Sequence, residues 1–124
     1  MKPGNLYADI PSVLLEESLR DILNRGNVRI ERIVSQGHCT PDEFWYDQDW
    51  DEWVLVLSGR AGLEIEGRPT PMELGPGDYL LIPSHIRHRV AWTDTRANTI
   101  WLAVHIHPQH WGKEETPCEC PKWY

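Results

Sequence analysis

Between residues 28 and 107 the apolar side chains recur at every second position, in short runs broken by Gly- and Pro-containing turns. That period constrains the fold more than any other feature, because it is the period at which a strand turns its side chains to one face. Val28, Ile30, Arg32 and Val34 alternate with Arg29, Glu31 and Ile33. Residues 44–48, 52–57, 61–66, 79–82, 88–93 and 99–106 read as further strands. Gly75-Pro76-Gly77-Asp78 is a turn with a mechanism, since Pro fixes φ and Gly accepts a positive one. About seven or eight short strands with regular turns and no helix between them predict an antiparallel sandwich or small barrel rather than a parallel α/β sheet.

Residues 11–26 carry a different spacing. Leu15, Leu19, Ile22 and Leu23 fall three and four apart, with Ser12 as an N-cap and Gly26 as a stop, so a short N-terminal helix packed on the sheet is expected. The chain of 124 residues therefore divides into a helical extension (1–27), a β-barrel (28–107) and a tail (108–124), all in one domain. On the last strand, Ile100, Leu102, Val104 and Ile106 form an aliphatic face that reads as core. Trp101, His105 and His107 lie on the opposite face, where His105 is a pocket candidate.

Charge narrows the partners. The net charge is −7 and no basic patch is visible, which disfavours nucleic acid. No apolar run has the roughly 20 residues of a membrane helix. The first ten residues lack an apolar signal core, and three cysteines do not read as a disulfide framework, so a cytoplasmic protein is expected. Cys118 and Cys120 in the tail, with His110 near them, match no structural zinc spacing well. Cys39, beside His38, reads as a plain thiol.

Two stretches carry a resemblance. Glu52-Trp53-Val54-Leu55-Val56-Leu57-Ser58-Gly59 resembles the end of the first cupin motif, a Glu and a Gly separated by six residues. The stretch from Gly77 through Pro83 to His88 is similar to the second cupin motif, with His85 standing where that motif has its second Gly. The resemblance implies an all-β, small antiparallel jelly-roll barrel. It also implies a divalent metal ion (Zn, Ni, Mn or Fe), with Glu52 and His88 in ligand positions. The two histidines that cupins carry before the Glu are absent. Their places are taken by Tyr46 and Gln48 in one spacing, or by Trp45 and Asp47 in the other. The expected ligand set is therefore Gln48, Glu52 and His88. Tyr46 and Glu52 are catalytic candidates, and Tyr46, Asp47, Trp92 and His105 are pocket candidates. Trp92 is included because it shares the period-two parity of His88 and Val90.

The function expected is a metal-binding cupin, with any enzymatic activity directed at a small organic molecule in the barrel. Its rival is a non-catalytic ligand-binding module, or a structural barrel whose metal site has decayed. A homodimer is expected, partly from the resemblance.

Overall fold

The computed structural model describes residues 1–108. Eight strands run in chain order: β1 (Ser18–Arg25), β2 (Val28–Ser35), β3 (Asp51–Ser58), β4 (Ala61–Ile65), β5 (Met72–Leu74), β6 (Tyr79–Ile82), β7 (His88–Thr93) and β8 (Thr99–Ile106). They form a five-stranded sheet, β1-β2-β8-β3-β6, and a three-stranded sheet, β5-β4-β7. All pairings are antiparallel. Among the described residues no helix is long and apolar enough to cross a membrane.

The inner faces of the two sheets enclose the core: Ile33, Val54, Val56, Ala61, Leu63, Leu74, Ile82, Trp101 and Ala103. Burying such side chains contributes about 1.5–3 kcal/mol for each large one. On β8 the Trp/His face points inward, with Thr99, Trp101, Ala103 and His105 buried, while on the aliphatic face Ile100 is buried, Leu102 and Val104 are half-buried and Ile106 is exposed. This corrects the expectation that the aliphatic face is the core. The central sheet is apolar on both sides, and aliphatic content alone does not say which side faces in.

The expected N-terminal helix is also corrected. Residues 18–25 form β1, paired along β2, with a register shift between Asp21 and Leu23. That shift marks an extra residue, Ile22, in the strand. A β-bulge breaks the period of two, so Leu19, Ile22 and Leu23 acquire a spacing that mimics a helix. The expected strand at 44–48 is a single bridge, Tyr46 with His88.

The N-terminal segment crosses the outside of the five-stranded sheet. Arg32, almost fully buried there, donates to the main-chain carbonyls of Leu6, Ala8 and Asp9. The tail cysteines Cys118 and Cys120 lie outside the described residues, as do all positions beyond 108.

Candidate active site within the barrel

A cavity of about 500 Å³ opens between the two inner faces. Its apolar wall includes Ile33, Val54, Leu63, Ile82, Val90 and Trp101, and its polar groups include Glu17, Thr40, Tyr46, Glu52 and His88. Residues 15–17 and 38–41 line the same space.

Glu52 enters from β3, where its neighbours across the ladder are Ile82 and His105. His88 enters from the start of β7. Both are buried, at 1% and 3% exposed. His88 Nδ1 lies 2.9 Å from the Ile86 carbonyl oxygen. A carbonyl only accepts, so Nδ1 carries a proton and Nε2 is the ring nitrogen turned toward the carboxylate. That Nε2 faces Glu52 Oε1 at 3.7 Å, and neither atom has a hydrogen-bond partner among the described residues. A carboxylate oxygen and an imidazole nitrogen, both metal-ligating atom types, thus face each other in a low-dielectric site.

Tyr46 is fixed by reciprocal main-chain bonds to His88, Tyr46 N–H to His88 O (2.8 Å) and His88 N–H to Tyr46 O (3.1 Å). Its ring stacks on the imidazole at 5.7 Å between centroids. Burial, with the Glu17 and Glu52 carboxylates adding to it, pushes the phenol up to about 12. Tyr46 is therefore a neutral hydroxyl over the physiological range, not a phenolate. The segment before it runs along the free edge of β7, with Thr40 N–H donating to Val90 O and Val90 N–H to Thr40 Oγ1.

Other sequence candidates are placed elsewhere. Trp92 is 39% exposed, and its indole covers Gly62 on the outside of the small sheet. The pairing of β4 with β7 skips Ala91, with Leu63 opposite Val90 and Gly62 opposite Trp92. That bulge reverses the parity, so Trp92 leaves the face shared by His88 and Val90. Asp47 is exposed and pairs with His85 Nδ1 at 3.0 Å, away from the cavity.

Gln48 is buried and its Nε2 has no partner, but it is not among the residues that line the cavity. His105 is fully buried at one end of the inner face. Trp50 Nε1–H donates to its Nδ1 (2.9 Å), so the proton sits on Nε2, 3.3 Å from Glu31 Oε1. Arg29 in turn donates to Glu31 Oε2 at 2.9 Å. His105 thus belongs to a paired structural network beside Glu52 rather than to the cavity lining. His107, stacked on Trp50, is held below its ordinary value by burial and by His105 and Arg29.

Sequence reasoning missed Glu17 and Trp101 as cavity residues. Glu17 was hidden by the helical reading of its segment. Trp101 lies on the Trp/His face of β8, for which a pocket was one of the open readings, but only His105 was singled out on it.

The family model described as "Cupin domain" matches residues 33–109. The chain belongs to the cupin family. No curated protein matches the sequence. Among solved structures, this cupin is similar to a "putative mannose-6-phosphate isomerase" of Ralstonia eutropha JMP134, with 50% identity and a TM-score of 0.84, over 87% of this chain and 100% of that one. It shares its fold with a cupin superfamily protein of Desulfitobacterium hafniense (17% identity, TM-score 0.66, 80% and 84% covered). It does so too with the polyketide cyclase RemF of Streptomyces resistomycificus (20%, 0.68, 86% and 79%).

Cupins often bind a metal, and the donors in this cupin fit one in part. A metal held at the usual 2.0–2.2 Å by a carboxylate and an imidazole at a tetrahedral angle separates them by about 3.4 Å, close to the 3.7 Å between Glu52 and His88. Among the described residues, no group of three His, Cys, Asp or Glu converges. Among the described residues, donors beyond these two have to come from amide, carbonyl or hydroxyl oxygens.

Proposed function

We propose that this cupin binds one divalent metal ion through Glu52 and His88 and acts there on a small organic molecule held in the barrel. The observation that carries the reading is the buried carboxylate oxygen and imidazole nitrogen 3.7 Å apart, neither with a hydrogen-bond partner among the described residues. A buried polar group without a partner costs about 1–3 kcal/mol, and a cation bound by the carboxylate and the neutral imidazole relieves both atoms together. The metal, when bound, supplies Lewis-acid polarisation of an oxygen of the bound molecule.

The chain's own residues do the rest. Ile86 O fixes the imidazole tautomer, Tyr46 offers a neutral hydroxyl, and the aliphatic wall excludes water. Gln48 is kept as a supporting ligand through its amide oxygen. The short donor set also favours a second reading, in which the site holds its ligand without turning it over.

The Ralstonia relative's name suggests a phosphorylated sugar, but the lining supports an uncharged molecule better. Among the described residues no Lys or Arg lines the cavity, while Glu16, Glu17 and Glu52 do.

The test is metal content by plasma mass spectrometry on untagged protein, as isolated and after reconstitution with Mn, Fe, Ni and Zn. About one ion per chain is expected, lost in Glu52→Gln and in His88→Ala and reduced in Gln48→Leu. No bound ion in the wild type under any loading would overturn the metal reading and leave the ligand-holding one. Turnover of small organic substrates by the loaded protein, abolished in the same variants, separates enzyme from binding module.

A further inference from the structure

Two buried tryptophans point into this barrel, and the structure treats their indole N–H groups differently. Trp50 and Trp101 are both 4% exposed. Trp50 donates to His105 Nδ1, whereas Trp101 Nε1 has no partner among the described residues. Indole is a donor only, and a buried donor left unpaired is a departure that calls for a reason. Trp101 sits mid-strand on β8, opposite Ile33 on one side and Val56 on the other, and it lines the cavity. The region around it is aliphatic. Among the described residues no acceptor reaches the N–H, which lies just beneath the cavity surface; a small turn of the indole brings it to an acceptor carried by a ligand.

We propose that Trp101 is a specificity-determining residue: its indole N–H reads a carbonyl or hydroxyl oxygen on an uncharged, mostly apolar ligand. The inference rests on the reading that the barrel holds a small organic molecule, and it names the class. The aliphatic wall takes the body of the ligand and Trp101 takes one oxygen. A phosphomonoester finds no Lys or Arg among the described lining residues, and Glu16 and Glu17 face it with like charge. A site built around an unpaired donor rejects analogues that lack the matching acceptor, because the donor then stays buried and unpaired.

The experiment uses the full chain, labelled with nitrogen-15, and follows the indole proton resonances. The Trp101 signal is identified by its loss in Trp101→Phe. Contacts to Ile33 and Val56 methyl groups identify it independently should that variant not fold. Three probes are titrated: cyclohexanone, methylenecyclohexane (the same shape without the acceptor) and mannose 6-phosphate.

Saturable binding of cyclohexanone with a downfield shift of the Trp101 indole proton is expected. Methylenecyclohexane should bind about tenfold more weakly, the factor one neutral hydrogen bond supplies. In Trp101→Phe the two should bind alike, with the melting temperature preserved. Equal affinity of the two probes for the wild type overturns the proposal. So does a Trp101 signal unmoved by cyclohexanone up to its solubility, or preferential binding of mannose 6-phosphate. Metal content is measured on the same samples. Loss of the metal reading shows as an absent ion with the indole shift intact, and loss of the present one as the reverse.

Discussion

Single residues decide more here than their neighbourhoods in the sequence suggest. Gly59 closes the first motif, with φ of +79°, and a Cβ built there falls 2.5 Å from Thr99 Oγ1 and 2.6 Å from both Asn98 O and Thr99 Cα. Two of those atoms are main chain and cannot swing aside. Backbone strain and overpacking add, so Gly59→Ala is expected to cost about 3 kcal/mol, read as a shift of the urea midpoint at unchanged slope. His85, at the place of the second motif's Gly, has φ of +64° and keeps the glycine-like backbone without the glycine. Glu52 and His88 were legible because motif spacing and strand parity point the same way for both. Trp92 was not, because parity assumes a regular strand and β7 is irregular at Ala91.

Bulges explain most of what was illegible at the level of elements. Register shifts occur in β1, between β4 and β7, and between β3 and β8. A one-residue insertion leaves little trace in composition, yet it moves every later side chain to the other face. β2, β3, β4, β6, β7 and β8 were readable from alternation and turn chemistry, whereas the three-residue β5 was too short to show a period and β1 was read as a helix through its bulge. The start of β1 is tied to β2 by Ser35 Oγ–H donating to Glu17 Oε2 at 2.6 Å. Burial raises the Glu17 pKa above its ordinary 4.5, only partly offset by that bond and by His38.

The sign follows from linkage. A carboxyl with a raised folded pKa carries no penalty below 4.5, where it is protonated both folded and unfolded. The penalty develops as pH rises through the folded pKa and is constant above it. Glu17→Gln should therefore melt higher than the wild type at neutral pH, and the gain should shrink as pH falls below that range. Melting curves of both proteins across the acid range check it. A gain independent of pH would mean that the carboxylate charge is not its source.

The whole molecule presents a second apolar face, on the outside of the five-stranded sheet. Trp53, Leu55, Leu102 and Val104 are half-buried there, and Tyr79, Leu81 and Ile106 are exposed. We take its occupant to be a second copy of the chain, since apolar sheet faces stack on one another at about 10 Å. The side chains named carry no charge, and the neighbouring Arg32, opposite Leu102, is taken up by main-chain carbonyls of the N-terminal segment. Light scattering should give twice the chain mass for the wild type and a single chain mass for Leu81→Lys with Leu55→Lys. A monomeric wild type at high concentration would exclude this assembly.

The facing pair inside the barrel has a consequence for heat tolerance. Unpaired buried polar atoms and an unpaired indole donor are a debt the empty fold carries, and any occupant that settles it lifts the native state by RT ln(1 + [L]/Kd) without touching the unfolded chain. The melting temperature thus becomes a gauge of occupancy, responsive to compounds whose chemistry no assay has been built to detect.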